Sequence, residues 1–184
     1  MNKRIISLCL ALALLLCLLP AAPTAAAAGD VAINETNFPD ENFRGYVSGN
    51  FDQNGDGLLS PMEISDVTEI ECYECGISSL KGIEYFTALK WLDCDDNQLT
   101  SLDVRKNTAL NYLYCSGNQL TALDVSKNTA LVYLDCSYNQ LSALDVSRNT
   151  ALNGLTCDNN QLSSLDVSKN TALDALYCWK NQLT

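Results

Sequence analysis

A pattern of apolar positions recurs along the larger, C-terminal part of the chain with a period of 21 residues. Residues 89–99 read L-x-x-L-x-C-x-x-N-x-L, and further apolar residues follow at 102 and 104. The same frame restarts at Leu110, Leu131, Leu152 and Leu173. In each unit the x-Leu-x-Cys-x segment alternates apolar and variable residues, which is the period of a strand with one covered face.

One short strand cannot bury its own apolar face, so successive units must stack and share a continuous core. We therefore expect parallel strands joined by returning limbs that are too short for α-helices and consist of turns with short extended or 3₁₀ pieces. An asparagine follows each strand where the chain turns away. We expect these amides to bond the backbone of their own turn and of the next unit; they are Asn97, Asn118, Asn139, Asn160 and Asn181.

A cysteine occupies the second core position of each strand. The column consists of Cys72, Cys94, Cys115, Cys136, Cys157 and Cys178. Its first member belongs to a degenerate copy at 70–80, in which Cys75 takes the asparagine position. Disulfides are the alternative, but stacked strands lie about 4.8 Å apart whereas a disulfide needs Cβ atoms about 3.8 Å apart. We interpret the column as small buried hydrophobes, and Cys72-x-x-Cys75 as structural rather than redox-active or zinc-binding.

The unit resembles that of the leucine-rich-repeat family, which reads L-x-x-L-x-L-x-x-N/C-x-L. The cysteine and the connector Leu-Asp-Val-Ser-x-Asn-Thr-Ala-Leu are similar to repeats of secreted bacterial proteins, including internalin-like ones. The resemblance implies a leucine-rich-repeat solenoid over residues 67–184, with short parallel strands, irregular or 3₁₀ returns and the variable strand positions on a concave side. Because Thr184 falls midway through a unit and no polar cap is visible there, we expect the chain to be truncated at its C-terminus.

Residues 1–28 have the layout of a signal peptide. Lys3 and Arg4 precede an uncharged apolar run over 5–19 and then a small-residue stretch with Ala-x-Ala cleavage options. A membrane anchor is the alternative, but the run is short for a span of about 20 residues. We expect cleavage near residues 26–28, no membrane insertion afterwards, and a protein that is secreted or displayed at the cell surface.

The amino-acid composition excludes several classes of catalytic site, metal site and binding partner. The chain has no histidine, which excludes Ser-His and Cys-His catalysis and histidine-ligated metals. Without the export segment, nine basic and 22 acidic residues remain, a formal charge of −13. Such a chain repels nucleic acid and anionic lipid and suits calcium or cationic partners. We expect no enzyme activity, and interpret the clustered Asp93, Asp95 and Asp96 as a solvated acidic face.

Residues 52–63 match the calcium-loop pattern D-x-[DN]-x-[DN]-G-x₅-E at every required position. Calcium takes six to eight oxygen ligands at about 2.3–2.6 Å. The expected ligands are the side chains of Asp52, Asn54, Asp56, Ser60 and Glu63, with the backbone carbonyl of Leu58. The loop resembles that of the EF-hand family, although it is single where EF-hands normally pair. An ion-free turn is the alternative.

The flanks of this loop predict a small helical EF-hand-like cap over residues 29–66. Phe43, Val47 and Phe51 fall on one face of an incoming helix that Pro39 would open, and Pro61 would open a short outgoing helix. Since this unit directly precedes the first strand, we expect the three apolar residues to cover the open end of the solenoid.

Aromatic residues concentrate at the variable positions in and directly after the strands, which hold both tryptophans and six of the eight tyrosines. These residue types dominate binding hot spots, although aromatics also favour strands for packing alone. The predicted ligand-binding residues are Trp91, Tyr112, Tyr114, Tyr133, Tyr138, Tyr177 and Trp179. We expect a binding module for a protein, peptide or glycan. The alternatives are a targeting region of a larger secreted enzyme and a structural surface spacer.

Overall fold

The computed structural model describes residues 29–184, so the predicted export segment lies outside the described residues. Strand β1 (Val31–Ala32) pairs antiparallel with β2 (Leu58–Leu59), and the two α-helices are α1 (Glu41–Phe51) and α2 (Pro61–Asp66). A six-stranded parallel sheet follows in sequence order. Its strands are β3 (Glu69–Glu71), β4 (Trp91–Asp93), β5 (Tyr112–Tyr114), β6 (Tyr133–Asp135), β7 (Gly154–Thr156) and β8 (Ala175–Tyr177).

The predicted stacking of short parallel strands is confirmed. Leu92 pairs with Leu113, and Leu113 with Leu134, so that each leucine lies beside its equivalent one 21-residue unit later. These central leucines are fully buried from β4 to β7. The returning limbs consist of turns, apart from a one-turn 3₁₀ helix at Ile83–Tyr85 in the first limb. The predicted 3₁₀ and irregular returns are therefore confirmed for the described residues.

The sequence predicts that all six cysteines of the column lie in the core, and the structure confirms this for five of them. Cys72, Cys94, Cys115, Cys136 and Cys157 are fully buried, while Cys178 beside the last strand is partly exposed. All described cysteines carry free thiols. The Cys94 Sγ donates to the carbonyl of Tyr114 at 3.2 Å, and the Cys115 Sγ donates to that of Asp135 at 3.3 Å. These thiols thus bond the backbone of the neighbouring strand.

The predicted asparagine ladder is also confirmed. The Asn118 Nδ2 donates to the carbonyls of Cys94 and Cys115 at 3.0 and 3.2 Å, and its Oδ1 accepts from the Leu99 N–H at 3.0 Å. Equivalent bonds from Nδ2 to the cysteine carbonyl of the preceding unit occur at Asn97, Asn139, Asn160 and Asn181. Each amide therefore joins two adjacent units.

The expectation that Cys75 takes part in this ladder is wrong. Cys75 is exposed, and the ladder begins at Asn97, whose Oδ1 accepts from the Ile77 N–H at 2.9 Å. The physical reason is that a thiol is only a weak donor and a weak acceptor, so it does not make the set of backbone bonds that each amide of the ladder makes. Next to Cys75, the carbonyl of Gly76 accepts instead from the Asn42 side chain of α1, at 3.0 Å.

A second asparagine ladder, which the sequence analysis missed, runs through the returning limbs. Asn128 is fully buried, and its Nδ2 donates to the carbonyls of Val104 and Asn107, both at 2.9 Å. Asn107, Asn149 and Asn170 make equivalent pairs of bonds. The signal was present, because these residues open the repeated Asn-Thr-Ala-Leu segment at the same 21-residue spacing.

Helix α1 contributes to the same hydrophobic core as the sheet. Phe43 and Val47 are fully buried, and the rings of Phe51 and Phe86 lie 5.3 Å apart between centroids. Phe38 packs so closely against the first limb that a Cβ on Gly82 would lie 2.3 Å from its ring. These residues therefore cover the β3 end of the core.

The helix begins at Glu41, two residues later than a start at Pro39 would give. The N-cap is Asp40, whose Oδ1 accepts from the Phe43 N–H at 2.9 Å, because a short carboxylate satisfies an otherwise free amide of the first turn. Its Oδ2 accepts from the N–H and Oγ of Ser78 at 2.8 and 2.7 Å. Pro61 opens α2 as predicted, with Ser60 as the N-cap.

Candidate binding face and calcium loop

The sheet presents one row of side chains at each outward strand position. We define the sheet face by two sets of positions. The first set is the outward residues of strands β3–β8. The second set is the two residues that follow the column cysteine of each unit and precede its asparagine, or Cys75 in the first unit. Because parallel strands lie about 4.8 Å apart, equivalent side chains of adjacent units are close enough to touch. The face is therefore built from whole rows of residues rather than from one loop.

Four of the seven predicted ligand-binding aromatics form a continuous group, which we call the aromatic strip. Trp91 lies 4.9 Å from Tyr112 and 5.0 Å from Tyr114 between ring centroids, and Tyr114 lies 5.2 Å from Tyr133. The rings are tilted by 32–37° to one another, within the range of favourable offset contacts. Tyr112 is 36% exposed, and the other three are partly covered by their neighbours.

Because Gly154 has no side chain, it leaves room for the ring of Tyr133, the last ring of the strip. A Cβ there would lie 2.5 Å from the Tyr133 ring, so this ring lies directly over the β7 backbone. The Tyr133 hydroxyl is 3.1 Å from the Thr156 Oγ1. The neighbouring unit thus fixes the orientation of the last ring in the strip.

The other three predicted aromatics lie apart from the strip. Tyr177 and Trp179 pair edge to face at 5.3 Å on and after β8, and they are 47% and 54% exposed. Tyr138 is 58% exposed at a backbone position with φ of 50°. That left-handed conformation costs a residue with a Cβ on the order of 1–2 kcal/mol. The structure therefore separates the predicted set into one strip, one distant pair and one isolated tyrosine.

Carboxylates surround the strip; Asp93, Asp95 and Asp135 are partly buried, and Asp158 is buried. The Asp95 Oδ1 accepts from the Ser116 N–H at 2.6 Å, and the Asp135 Oδ1 accepts from the Ser137 Oγ at 2.6 Å. Burial, with Asp93, Asp135 and Asp96 nearby, raises the pKa of Asp95 to about 7. Burial, with Asp158 nearby, also raises the pKa of Asp135. The carboxylates of the sheet face are Glu69, Glu71, Glu74, Asp93, Asp95, Asp96, Asp135 and Asp158.

Two serines link these carboxylate sites, Ser116 through its N–H and Ser137 through its Oγ, and the sequence pattern did not indicate this link. Ser116 Oγ and Ser137 Oγ lie 2.9 Å apart and connect the Asp95 and Asp135 sites. The Trp91 Nε1 is buried without a hydrogen-bond partner among the described residues. The serines could have been found from their equivalent positions in adjacent units, whereas the burial of an indole nitrogen depends on how neighbouring rings tilt.

The loop at residues 52–63, which the sequence predicts to bind calcium, is folded around the carboxylate of its first residue, Asp52. The Asp52 Oδ1 accepts from the Gly55 N–H at 2.8 Å, and its Oδ2 accepts from the Gly57 N–H at 3.0 Å. Gly55 and Gly57 both have positive φ, which a glycine adopts without steric cost. Asn54 and Asp56 bond each other at 3.0 Å.

Glu63 closes the loop onto its start. Its Oε1 accepts from the Gln53 N–H at 2.9 Å, and its Oε2 accepts from the Ser60 N–H and Oγ, both at 2.8 Å. Hydrogen bonds from Ser60 lower the pKa of Glu63, so the side chain, 8% exposed, is held as a carboxylate. Ser60 N-caps α2 in the same arrangement.

The loop offers hard oxygen donors of the kind that calcium prefers. Within residues 29–184, however, no three acidic or cysteine side chains are grouped closely enough to hold a metal ion. The carboxylate of Glu63 lies beside Gln53, the second residue of the loop, while it bonds Ser60. Glu63 is therefore held between the start of the loop and the N-terminus of α2, next to the other oxygen donors of the loop pattern.

The surface also contains depressions away from the sheet face. One of about 280 Å³ is lined by residues of the first two returning limbs, among them Lys81, Glu84 and Asp103. It brings together side chains of both charges and no aromatic ring, so we place the candidate site on the sheet face, where the aromatics and unpaired carboxylates lie. None of the helices in the described part of the chain is long and apolar enough to cross a membrane.

The stacked units, the parallel strands and the asparagine ladders define a leucine-rich-repeat solenoid of about five turns. A family model described as Leucine Rich repeats (2 copies) matches residues 87–128. Among known proteins, the chain is similar to internalin J of Listeria monocytogenes. It is 39% identical over 89 residues to the protein of strain F2365 (serotype 4b) and 39% identical over 71 residues to that of strain EGD-e (serovar 1/2a).

These matches cover only part of the relatives. They include 48% and 39% of this chain, but 10% and 8% of the two internalin J chains. The crystal structure of internalin InlF from strain F2365 is 24% identical, with a TM-score of 0.74 over 86% of this chain and 48% of that chain. This last likeness concerns the fold alone.

Proposed function

We propose that the chain is a non-enzymatic extracellular binding module, and that its sheet face recognises a protein, a peptide or a glycan. The observation that carries this proposal is the aromatic strip, in which four rings from three adjacent strands make one surface. Aromatic side chains supply much contact area for little conformational entropy, which is why they concentrate binding energy. The similarity to internalin J and the family match to leucine-rich repeats support a binding role over a catalytic one.

The test removes the rings while keeping the core. Tyr112, Tyr114 and Tyr133 are replaced together by serine, and the variant is compared with wild type on peptide and glycan arrays. Met62→Ser is a matched control, because Met62 is 73% exposed in α2 and lies outside the sheet face. We expect at least a tenfold loss of affinity, about 1.4 kcal/mol, in the triple variant only. Unchanged binding by a folded triple variant would place the site elsewhere and contradict the proposal.

We also propose that calcium stabilises the N-terminal unit through oxygens of Asp52, Asn54, Asp56, Ser60 and Glu63 and the carbonyl of Leu58. The support comes from the donor chemistry of the loop and from the position of Glu63 beside the first loop residues. Helix α1 shares the solenoid core, and the Tyr46 hydroxyl accepts from the Glu71 N–H at the edge of β3, at 3.1 Å. Calcium binding that orders the loop would therefore also stabilise the packing of this unit against β3, the first strand of the parallel sheet.

Thermal unfolding in calcium and in chelator tests this part of the proposal. Extracellular loops of this kind bind calcium with a Kd on the order of 10⁻⁴–10⁻³ M, and a tenfold excess over Kd stabilises the folded state by about 1.4 kcal/mol. We expect Glu63→Gln to abolish the calcium-dependent shift, and Asp66→Asn, outside the loop pattern, to retain it. Identical melting curves of the wild type in calcium and in chelator would contradict a calcium role.

Export is the third part of the proposal. The layout of residues 1–28 supports secretion or surface display after cleavage of that segment. The check is N-terminal sequencing of the protein recovered from the medium or the cell surface, which should begin close to Gly29. A mature protein that still begins at Met1 would refute cleavage.

A further inference from the structure

We infer that the natural occupant of the sheet face is an extended cationic peptide segment, with its lysine or arginine side chains held between the aromatic strip and the carboxylates of Asp95 and Asp135. This inference rests on the proposed function of the same face and selects one ligand class from the protein, peptide and glycan alternatives. It is carried by the distribution of charge over the molecule.

Basic residues are nearly absent from the sheet face, whereas acidic residues lie on both sides of the solenoid, with 14 of the 22 outside the face. The sheet face holds eight carboxylates and one basic residue, Lys180, after the last strand. The other eight basic residues of the described chain lie in α1, in the returning limbs or, for Lys90, in the turn that enters β4. A face with one sign of charge attracts the opposite charge and raises the rate at which such a partner associates.

Among the described residues, none of the carboxylates of the face forms an ion pair with a basic side chain. In residues 29–184 the ion pairs are Arg44 with Glu35 and Arg105 with Asp103, and none of these four residues lies on the sheet face. Asp95 and Asp135 accept hydrogen bonds from Ser116 and Ser137, which fix their orientation without neutralising them. Their raised pKa values show the cost of this charge, which a bound cation would remove.

The arrangement of rings beside these carboxylates favours a cation over a neutral sugar. A lysine or arginine side chain gains from an aromatic face and from a nearby carboxylate at the same time, and it can lay its apolar stem on the rings. A neutral glycan would stack on the rings but leave the unpaired charge uncompensated. Charge complementarity therefore decides between two ligands that the aromatic strip alone would accept.

An extended segment fits the dimensions of the face. In an extended peptide, alternate side chains lie on one side at about 6.8 Å intervals, so a run of several residues spans the strands from β4 to β6, which lie about 4.8 Å apart. Asp93 and Asp135 flank Tyr114 on the adjacent strands, in equivalent positions of the sheet register. Successive basic side chains of one segment can thus reach carboxylates on either side of the strip.

The probe is a blocked decapeptide in which lysine alternates with threonine, titrated while Trp fluorescence or heat is measured. We expect saturable binding that weakens by about tenfold between 50 and 300 mM salt. The same peptide with acetylated lysines, or with glutamate in place of lysine, should bind at least about tenfold more weakly. Absence of binding by the lysine peptide, or equal binding by the acetylated one, overturns the inference.

Paired variants separate a site from a general charge effect. Asp95→Asn combined with Asp135→Asn keeps the acceptors of the Ser116 and Ser137 bonds but removes two charges from the face. Asp124→Asn combined with Asp145→Asn removes two charges from exposed positions on the returning limbs. We expect about a tenfold loss of affinity in the first pair and less than about a twofold loss in the second. Equal losses would mean binding by net charge alone and would overturn the inference.

A neutral β-1,4-linked glucose hexamer distinguishes this inference from the proposed function. If the hexamer binds, the Tyr112, Tyr114 and Tyr133 triple variant loses it and the lysine peptide does not bind, the face is a glycan site and only the cationic ligand is wrong. If the triple variant retains every ligand that the wild type binds, the face itself is not the site and both statements fail.

Discussion

Replacement of Asp95 by asparagine should stabilise the protein at alkaline pH and have little effect at acidic pH. Asp95 is half-buried, and its burial together with Asp93, Asp135 and Asp96 raises its pKa to about 7. The ordinary value for an unfolded aspartate is about 3.9. Since the folded pKa is the higher one, Asp95 contributes stability below about pH 4 and loses that contribution as the pH rises toward 7.

The magnitude follows from this shift and from the exposure of the side chain. A difference of about three pKa units corresponds to about 4 kcal/mol if the group is fully shielded. Asp95 is partly exposed, so solvent screening reduces the effect, and we expect about 1–2 kcal/mol at pH 8. Asparagine keeps an oxygen that can accept from the Ser116 N–H, which Asp95 bonds at 2.6 Å, so the variant should lose the charge without losing this bond.

Urea unfolding at pH 4.5, 6 and 8 measures the difference between variant and wild type. The advantage of Asp95→Asn should grow with pH and level off above about pH 7. Asp124→Asn is the control of opposite sign, because hydrogen bonds from the side chain and N–H of Ser126 lower the pKa of Asp124. That control should be less stable than wild type at neutral pH and approach it in acid. A stability difference for Asp95→Asn that does not depend on pH, or destabilisation by this substitution at pH 8, would refute a raised pKa at Asp95.

Three further substitutions test the architecture. Asn118→Ala leaves the Leu99 N–H without its acceptor and should cost about 2–4 kcal/mol in urea unfolding, whereas alanine at the exposed Asn153 should change little. Cys136→Ser places a hydroxyl in the apolar column and should cost about 1–3 kcal/mol, while denatured wild type should titrate close to the seven free thiols of the described chain and reductant should leave its melting temperature unchanged. Gly82→Ala should lower the melting temperature, because φ is 106° and the new Cβ would meet Phe38 at 2.3 Å. Alanine at Gly45 in α1, where nothing lies within 4 Å, should instead stabilise by about 0.5–1 kcal/mol.

The repeat fold could be predicted from the sequence because the same pattern of buried positions occurs in every unit. Each unit repeats the same inward leucine, cysteine and asparagine, so the strand positions and the Asn97-type ladder follow from a single unit. The 21-residue spacing marks Asn107 and its equivalents as a repeated feature, but it does not show that they are buried, since asparagine at the start of a turn is equally typical of a solvated position. Its burial depends on the valine and phenylalanine carbonyls that the previous limb brings to it.

The candidate face was predictable in composition but not in arrangement. The sequence places aromatics at outward positions, yet only the structure shows that four rings touch while Tyr138 and the Tyr177–Trp179 pair lie apart. The decisive contacts depend on ring tilt and on the absence of a side chain at Gly154. Glu63 shows a similar limit, because the loop pattern names it as a ligand but cannot reveal that it also bonds Ser60 and Gln53.

The uniform offset of the asparagine bonds has a consequence for how such a protein can change over evolutionary time. From Asn118 onward, each amide bonds a cysteine carbonyl 24 residues earlier, and the second ladder from Asn107 to Asn170 keeps the same offset. Duplication or loss of one 21-residue unit therefore leaves every remaining bond with an equivalent partner. The length of the sheet face can change in steps of about 4.8 Å without redesign of the interior, while its outward residues vary independently in each copy.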